Sequence, residues 1–67
     1  MTDTDYVAAL AGYGWEPAGN REQATDSGSW CSAAHCSDSV VFGAGKTLVE
    51  ARLDVLAKVR EREALRA

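Results

Sequence analysis

The sequence predicts an α+β fold in two layers, with the element order helix, three strands, helix (αβββα). A long C-terminal helix is expected to pack across one face of an antiparallel sheet, with the short first helix beside it. Three observations predict this: an amphipathic helical pattern after residue 47, alternating apolar residues before it, and glycines where the period changes. At 67 residues the chain is expected to form one domain, 1–67.

The first helix is predicted over residues 3–11. Thr2 and Asp5 have the spacing of a capping box, in which each residue bonds the backbone of the other. Gly12 is expected to stop the helix, because glycine is the usual residue just after a helix end.

The first strand is predicted over residues 13–17. Tyr13 and Trp15 have the two-residue spacing of a strand, and Pro17 lacks the N–H that further pairing would need. The polar residues 18–28 show no apolar period and predict a loop.

Two further strands are predicted over residues 29–35 and 40–44, joined by a turn at 36–39. Alternation puts Trp30, with every second residue after it, on one face of the second strand. Cys31 and its series occupy the other face.

The C-terminal helix is predicted over residues 48–65. Thr47 and Glu50 form a second capping box, and apolar residues then recur at helical spacing. Arg52 falls in the middle of that apolar arc. Its stem packs while its guanidinium reaches solvent, or it pairs with an acidic residue of the sheet or of a partner.

The tripeptide that begins with Gly45 looks like the end of a phosphate-binding loop. Such a loop needs a further glycine five residues earlier, and Val40 stands there. Gly43 and Gly45 are therefore interpreted as residues of a strand-to-helix turn, and no nucleotide is expected.

Cys31, His35 and Cys36 supply too few ligands for a structural zinc site. On a strand, Cys31 and His35 would lie about 13 Å apart, too far for a nucleophile and its base. A Cys31–Cys36 disulfide would need a turn within the strand, so two half-buried thiols are the favoured state. We expect no metal, no cofactor and no enzymatic activity.

Charge is unevenly distributed along the chain. Residues 1–45 carry six carboxylates against one arginine, a net charge of −5, and residues 46–67 carry six cations against four carboxylates, a net charge of +2. This balance disfavours nucleic-acid binding, which needs a dominant basic surface. The acidic N-terminus and the lack of a long apolar run predict a cytoplasmic protein without a membrane span.

The residues expected to bind a partner are acidic, aromatic or out of pattern. An exposed tryptophan would anchor an interface, and the carboxylates would face a basic groove of another protein. The predicted set is Glu16, Glu22, Asp26, Trp30, Asp38 and Arg52.

The element order, with a glycine turn opening the last helix, resembles the double-stranded-RNA-binding domain. Leu48 and Val49 stand where that family has phosphate-contacting lysines, and Lys46 remains basic. The resemblance implies the topology, with RNA binding as a third functional alternative.

Residues 28–60 also resemble HicB-like antitoxins and small phage α/β proteins. Both have a strand followed by Gly-x-Thr-x-x-Glu-Ala, which here runs from Gly45 to Ala51. This resemblance implies an antitoxin module that neutralises a small toxin as a monomer or homodimer.

The first expectation is a non-enzymatic phage or mobile-element inhibitor. It resembles anti-CRISPR proteins in size and style and would turn its acidic face toward a nucleic-acid-binding host complex, such as a CRISPR effector.

Overall fold

A computed structural model describes residues 2–18 and 22–66 of the chain. It confirms the predicted α+β class, with both helices on one side of an antiparallel sheet. The elements are α1 (Asp3–Ala11), β1 (Glu16–Pro17), β2 (Gln23–Ala24), β3 (Trp30–Cys36), β4 (Ser39–Gly45) and α2 (Leu48–Arg66).

The sheet is built around β3. Strand β4 pairs with β3 along its whole length, from Trp30↔Gly45 to Cys36↔Ser39. Strands β1 and β2 both pair with β3 as well, so they share its remaining edge, one at each end.

The sheet has one short strand in addition to the three predicted, because the polar segment 18–28 contains β2. Sequence period could not show this strand, since both of its residues, Gln23 and Ala24, are exposed. The neighbouring Glu22 is held by side chains of β3 and α2, and this anchoring brings the segment alongside the free edge of β3.

The first strand is also shorter than predicted. Tyr13 and Gly14 belong to the turn after α1, and the Trp15 N–H donates to the carbonyl of Leu10 at 2.9 Å. Gly12 caps the helix with an ordinary helical φ of −60°. The left-handed conformation falls two residues later, at Gly14, where φ is +82°.

The two faces of β3 are those predicted. Trp30 and its series face the helices, and Cys31 and its series lie on the opposite face, which we call the open face. The core between sheet and helices consists of Tyr6, Leu10, Trp15, Ala34, Val41, Val55, Leu56 and Val59.

Both predicted capping boxes are present. Thr2 and Asp5 exchange bonds at the start of α1. Thr47 and Glu50 do the same before α2, where each bond measures 3.1 Å. Each box satisfies backbone N–H groups that a helix start leaves without partners.

Strand β4 and helix α2 lie unusually close because β4 presents glycine to the helix. A Cβ atom on Gly43 would lie 2.5 Å from the Ala51 carbonyl oxygen and 2.6 Å from the Val55 nitrogen. A Cβ atom on Gly45 would lie 2.4 Å from the Cβ of Glu50. The two glycines therefore serve helix-on-strand contact, in addition to the turn predicted from sequence.

We predict that Gly43→Ala lowers the free energy of unfolding by about 3 kcal/mol or prevents folding, because backbone atoms of α2 cannot yield to the new methyl group. Urea unfolding measures the change. Gly12→Ala is the matched control: its Cβ atom would have 3.4 Å to the nearest carbonyl, so stability should change by less than about 0.5 kcal/mol. Equal stability of the two variants would contradict the close approach.

Candidate interaction surfaces

Arg52 lies at the centre of a polar network inside the protein. Its side chain forms a bidentate pair with Glu22, at 2.7 Å from Nε and 2.9 Å from Nη2. Its Nη1 lies 2.7 Å from Asp3 Oδ1, and its guanidinium stacks 5.1 Å from the centre of the Tyr6 ring. Arg52 is only 6% exposed, so these contacts replace the water that it gives up.

Ser32 extends the network into the sheet. Its hydroxyl donates to Glu22 Oε2 at 3.0 Å, and the Tyr6 hydroxyl lies 3.1 Å from Ser32 Oγ. Because the Ser32 proton goes to the carboxylate, the Tyr6 hydroxyl is the donor of the second bond. No buried side-chain nitrogen or oxygen in the described residues lacks a partner.

The network also changes acidities. Hydrogen bonding from Arg52 lowers the pKa of Glu22, and burial raises the pKa of Tyr6. The hydrogen bond to Glu22 raises the pKa of Arg52 above its already high value. All three shifts favour a permanently charged Glu22–Arg52 pair beside a neutral tyrosine.

Of the sequence-predicted partner residues, the structure joins only Glu22 and Arg52. They join each other. The expectation that the guanidinium reaches solvent is wrong, and the acidic partners in this chain, Glu22 just before β2 and Asp3 of α1, are not strand residues. The role of Glu22 and Arg52 toward a partner stays a prediction, and in this geometry they connect the segment before β2 to α1, β3 and α2.

The other predicted residues are dispersed. Glu16 lies on the open face beside His35, with 3.7 Å between carboxylate and ring nitrogen, and Asp38 lies in the turn at the same end of the sheet. Asp26 occupies the turn before β3, at the other end. Trp30 is half-buried on the helix side, opposite Gly45.

The phosphate-loop lookalike is filled by the protein's own carboxylate. The N–H groups of Lys46 and Thr47 both donate to Glu50 Oε2, at 2.8 and 3.1 Å. A phosphate would compete with this carboxylate for the same donors and would meet its negative charge.

Cys31 and Cys36 are half-buried thiols, as expected, and lie on opposite faces of β3. In the described part of the chain no three His, Cys, Asp or Glu side chains are grouped so as to hold a metal ion.

The open face carries the feature that sequence reasoning missed. Phe42 is 52% exposed and Val40 is 43% exposed. Their register partners are Ala33 and His35, and neither helix lies on this side. Strict alternation with buried Val41 was the available signal, since it requires Val40 and Phe42 to point away from the core.

The outer edge of β4 is partly covered by side chains of α2. Lys58 Nζ donates to the Phe42 carbonyl at 2.6 Å, and the Ala44 N–H donates to Asp54 Oδ2 at 3.0 Å. Asp54 and Lys58 also form an ion pair at 3.1 Å. The Ala44 hydrogen bond, followed by the contact with Lys58, lowers the pKa of Asp54.

Comparisons of this chain with models of protein families, with curated proteins and with solved structures found no match. Among the described residues, neither helix is long and apolar enough to cross a membrane.

We predict that Glu22→Gln lowers the free energy of unfolding by about 2 kcal/mol at pH 7, because it removes the charge of the bidentate partner of buried Arg52 and leaves exposed Asp3 as the remaining carboxylate. The folded-state pKa of Glu22 is lowered from 4.5, so its contribution is complete above that pH and is lost as pH falls through the folded value. The gap between variant and wild type should therefore narrow toward pH 3.

Urea unfolding at pH 7 and pH 3 measures this gap. Glu16→Gln makes the same chemical change at a side chain that is 77% exposed, and it should alter stability by less than about 0.5 kcal/mol at either pH. A Glu22→Gln gap that stays constant with pH would contradict the coupling to Arg52.

Proposed function

We propose that this protein acts by binding another protein, without catalysis, through the open face of its sheet. One observation carries the proposal: a sheet face with no helix on it places Phe42, 52% exposed, next to exposed Val40. Aromatic residues at the centre of a surface are the usual anchors of protein interfaces, because their burial removes a large apolar area from water.

Charge at one end of the open face supports a basic partner. Glu16 lies on that face, its side chain 77% exposed. Asp38 is exposed in the turn at the same end. Two carboxylates beside an apolar patch favour a partner with cations around an apolar pocket, because complementary charge speeds association and selects partners.

Within this class, we propose an inhibitor that blocks a nucleic-acid-binding complex of a host, in the manner of anti-CRISPR proteins. The small size and the acidic end support it, since an acidic surface can occupy a groove that otherwise holds nucleic acid. A HicB-like antitoxin module is the alternative, supported by the strand, capped turn and helix from Gly45 to Ala51. Double-stranded-RNA binding has weaker support, because Glu50 neutralises the backbone donors beside Lys46.

Affinity purification from a bacterial lysate, followed by mass spectrometry and binding assays with the purified partner, tests the proposal. Phe42→Ala should weaken binding by about tenfold or more, as truncation of an anchor does. The double variant Glu16→Lys/Asp38→Lys should slow association, and the effect should shrink at high salt.

Two matched controls separate the open face from the rest of the surface. Leu53→Ala removes a similarly exposed apolar side chain, 49% exposed, from α2, and Asp26→Lys reverses a charge at the other end of the sheet. Both should bind like wild type. A partner that binds the Phe42 and Glu16/Asp38 variants as tightly as these controls would refute the open-face proposal.

A further inference from the structure

In the part of the chain that the structure describes, β4 pairs with β3 alone, so the backbone groups on the outer edge of β4 meet no other strand. The Ala44 N–H points to Asp54 and the Phe42 carbonyl to Lys58, so the groups of these residues face away from β3. Strand alternation gives Val40 the same orientation. Among the described residues no side chain makes a hydrogen bond to the Val40 N–H, the Val40 carbonyl or the Phe42 N–H, whereas Ala44 N–H and the Phe42 carbonyl each have one.

These three groups border an open groove between β4 and the second half of α2. The groove has a volume of about 350 Å³, and its lining includes Val40, Phe42 and Leu65. Leu65, which is 82% exposed, lines the groove from α2, whereas the side chains of Val40 and Phe42, 43% and 52% exposed, point to the open-face side of the same strand edge. The groove thus combines unused strand hydrogen bonds with apolar side chains, which are the two components that strand addition requires.

The charge of the groove identifies the kind of segment it fits. Lys58 and Arg62 line it together with a single carboxylate, Glu61, so its lining is positive on a protein whose net charge is −3. Lys58 is matched by Asp54, whereas Arg62 makes no ion pair within the described residues. A carboxylate of a bound segment would give Arg62 an ion-pair partner.

We propose that this groove binds an extended acidic segment of a partner protein, which adds as a strand to β4 at Val40–Phe42 and places a carboxylate against Arg62. Lys58 and Asp54 limit the addition, because they already cover the edge beyond Phe42. This site differs from the open-face function proposed above in using the backbone edge of β4 and Arg62, although Val40 and Phe42 border both surfaces.

Two synthetic peptides test the proposal by titration into ¹⁵N-labelled protein. Both have a valine–threonine–valine core, and the flanking residues are aspartates in one and lysines in the other. The aspartate peptide should bind saturably, about tenfold more tightly than the lysine peptide. Its chemical-shift changes should centre on the amides of Val40 and Phe42 and on Arg62.

Two changes to the protein isolate the contacts. Arg62→Glu should lower the affinity for the aspartate peptide about tenfold or more. Arg60→Glu makes the identical charge change outside the groove on the same helix, and it should leave this affinity unaltered. An N-methyl group on the Phe42 nitrogen, introduced by chemical synthesis, should abolish binding with the side chain intact. A dispersed spectrum verifies that this variant folds.

The proposal is overturned by any of four results: no saturable binding, shift changes centred on Ala33 and Gln23 of the open face, equal affinity of both peptides, or equal effects of the two arginine variants. It is also overturned if gel filtration shows a dimer that the Phe42 N-methyl variant converts to a monomer, because a second copy would then occupy the β4 edge. The Glu16/Asp38 variant should bind the aspartate peptide normally, so failure here and failure of the open-face function are distinguishable.

Discussion

The close approach of α2 to β4 is the constraint on which the rest of this structure depends. Gly43 and Gly45 remove the side chains that would separate helix from strand, and any Cβ atom there would meet helix backbone or the stem of Glu50. This backbone contact positions the helix on the sheet. Large side chains of the sheet do not do so there, since the neighbouring buried residues of β3 are the small Ser32 and Ala34. In a domain this small, close backbone packing compensates for a limited apolar core.

The position of α2 determines which surfaces remain for function. Because the helix lies against β4, Asp54 and Lys58 reach over the strand edge and cover part of it. On the other side of the helix, Arg52 reaches α1 and the segment that leads to β2. The opposite face of the sheet receives no helix, and Phe42 is left exposed there.

Local signals made most of the fold predictable, and non-local pairing made the remainder unpredictable. Capping boxes at Thr2 and Thr47 are decided within four residues, so both helices were correct. Strand β2 follows Glu22, which accepts hydrogen bonds from Arg52 thirty residues away, and no periodicity encodes this pairing. The charge pattern could predict that Arg52 needs an acid but not which one. Sequence order also does not show that Glu16 and Asp38 lie at one end of β3 and Asp26 at the other.

Measuring the proximity of glycine α-protons to helix amides tests the close approach of α2 to β4 most directly. With the backbone this close, a nuclear Overhauser spectrum of the folded protein should show strong cross-peaks from the Gly43 α-protons to the Val55 amide. Equally strong cross-peaks should run from the Gly45 α-protons to the Ala51 amide. A spectrum that retains the β3–β4 pairing and both helices but lacks these cross-peaks would contradict it, because the helix would then stand off from the strand.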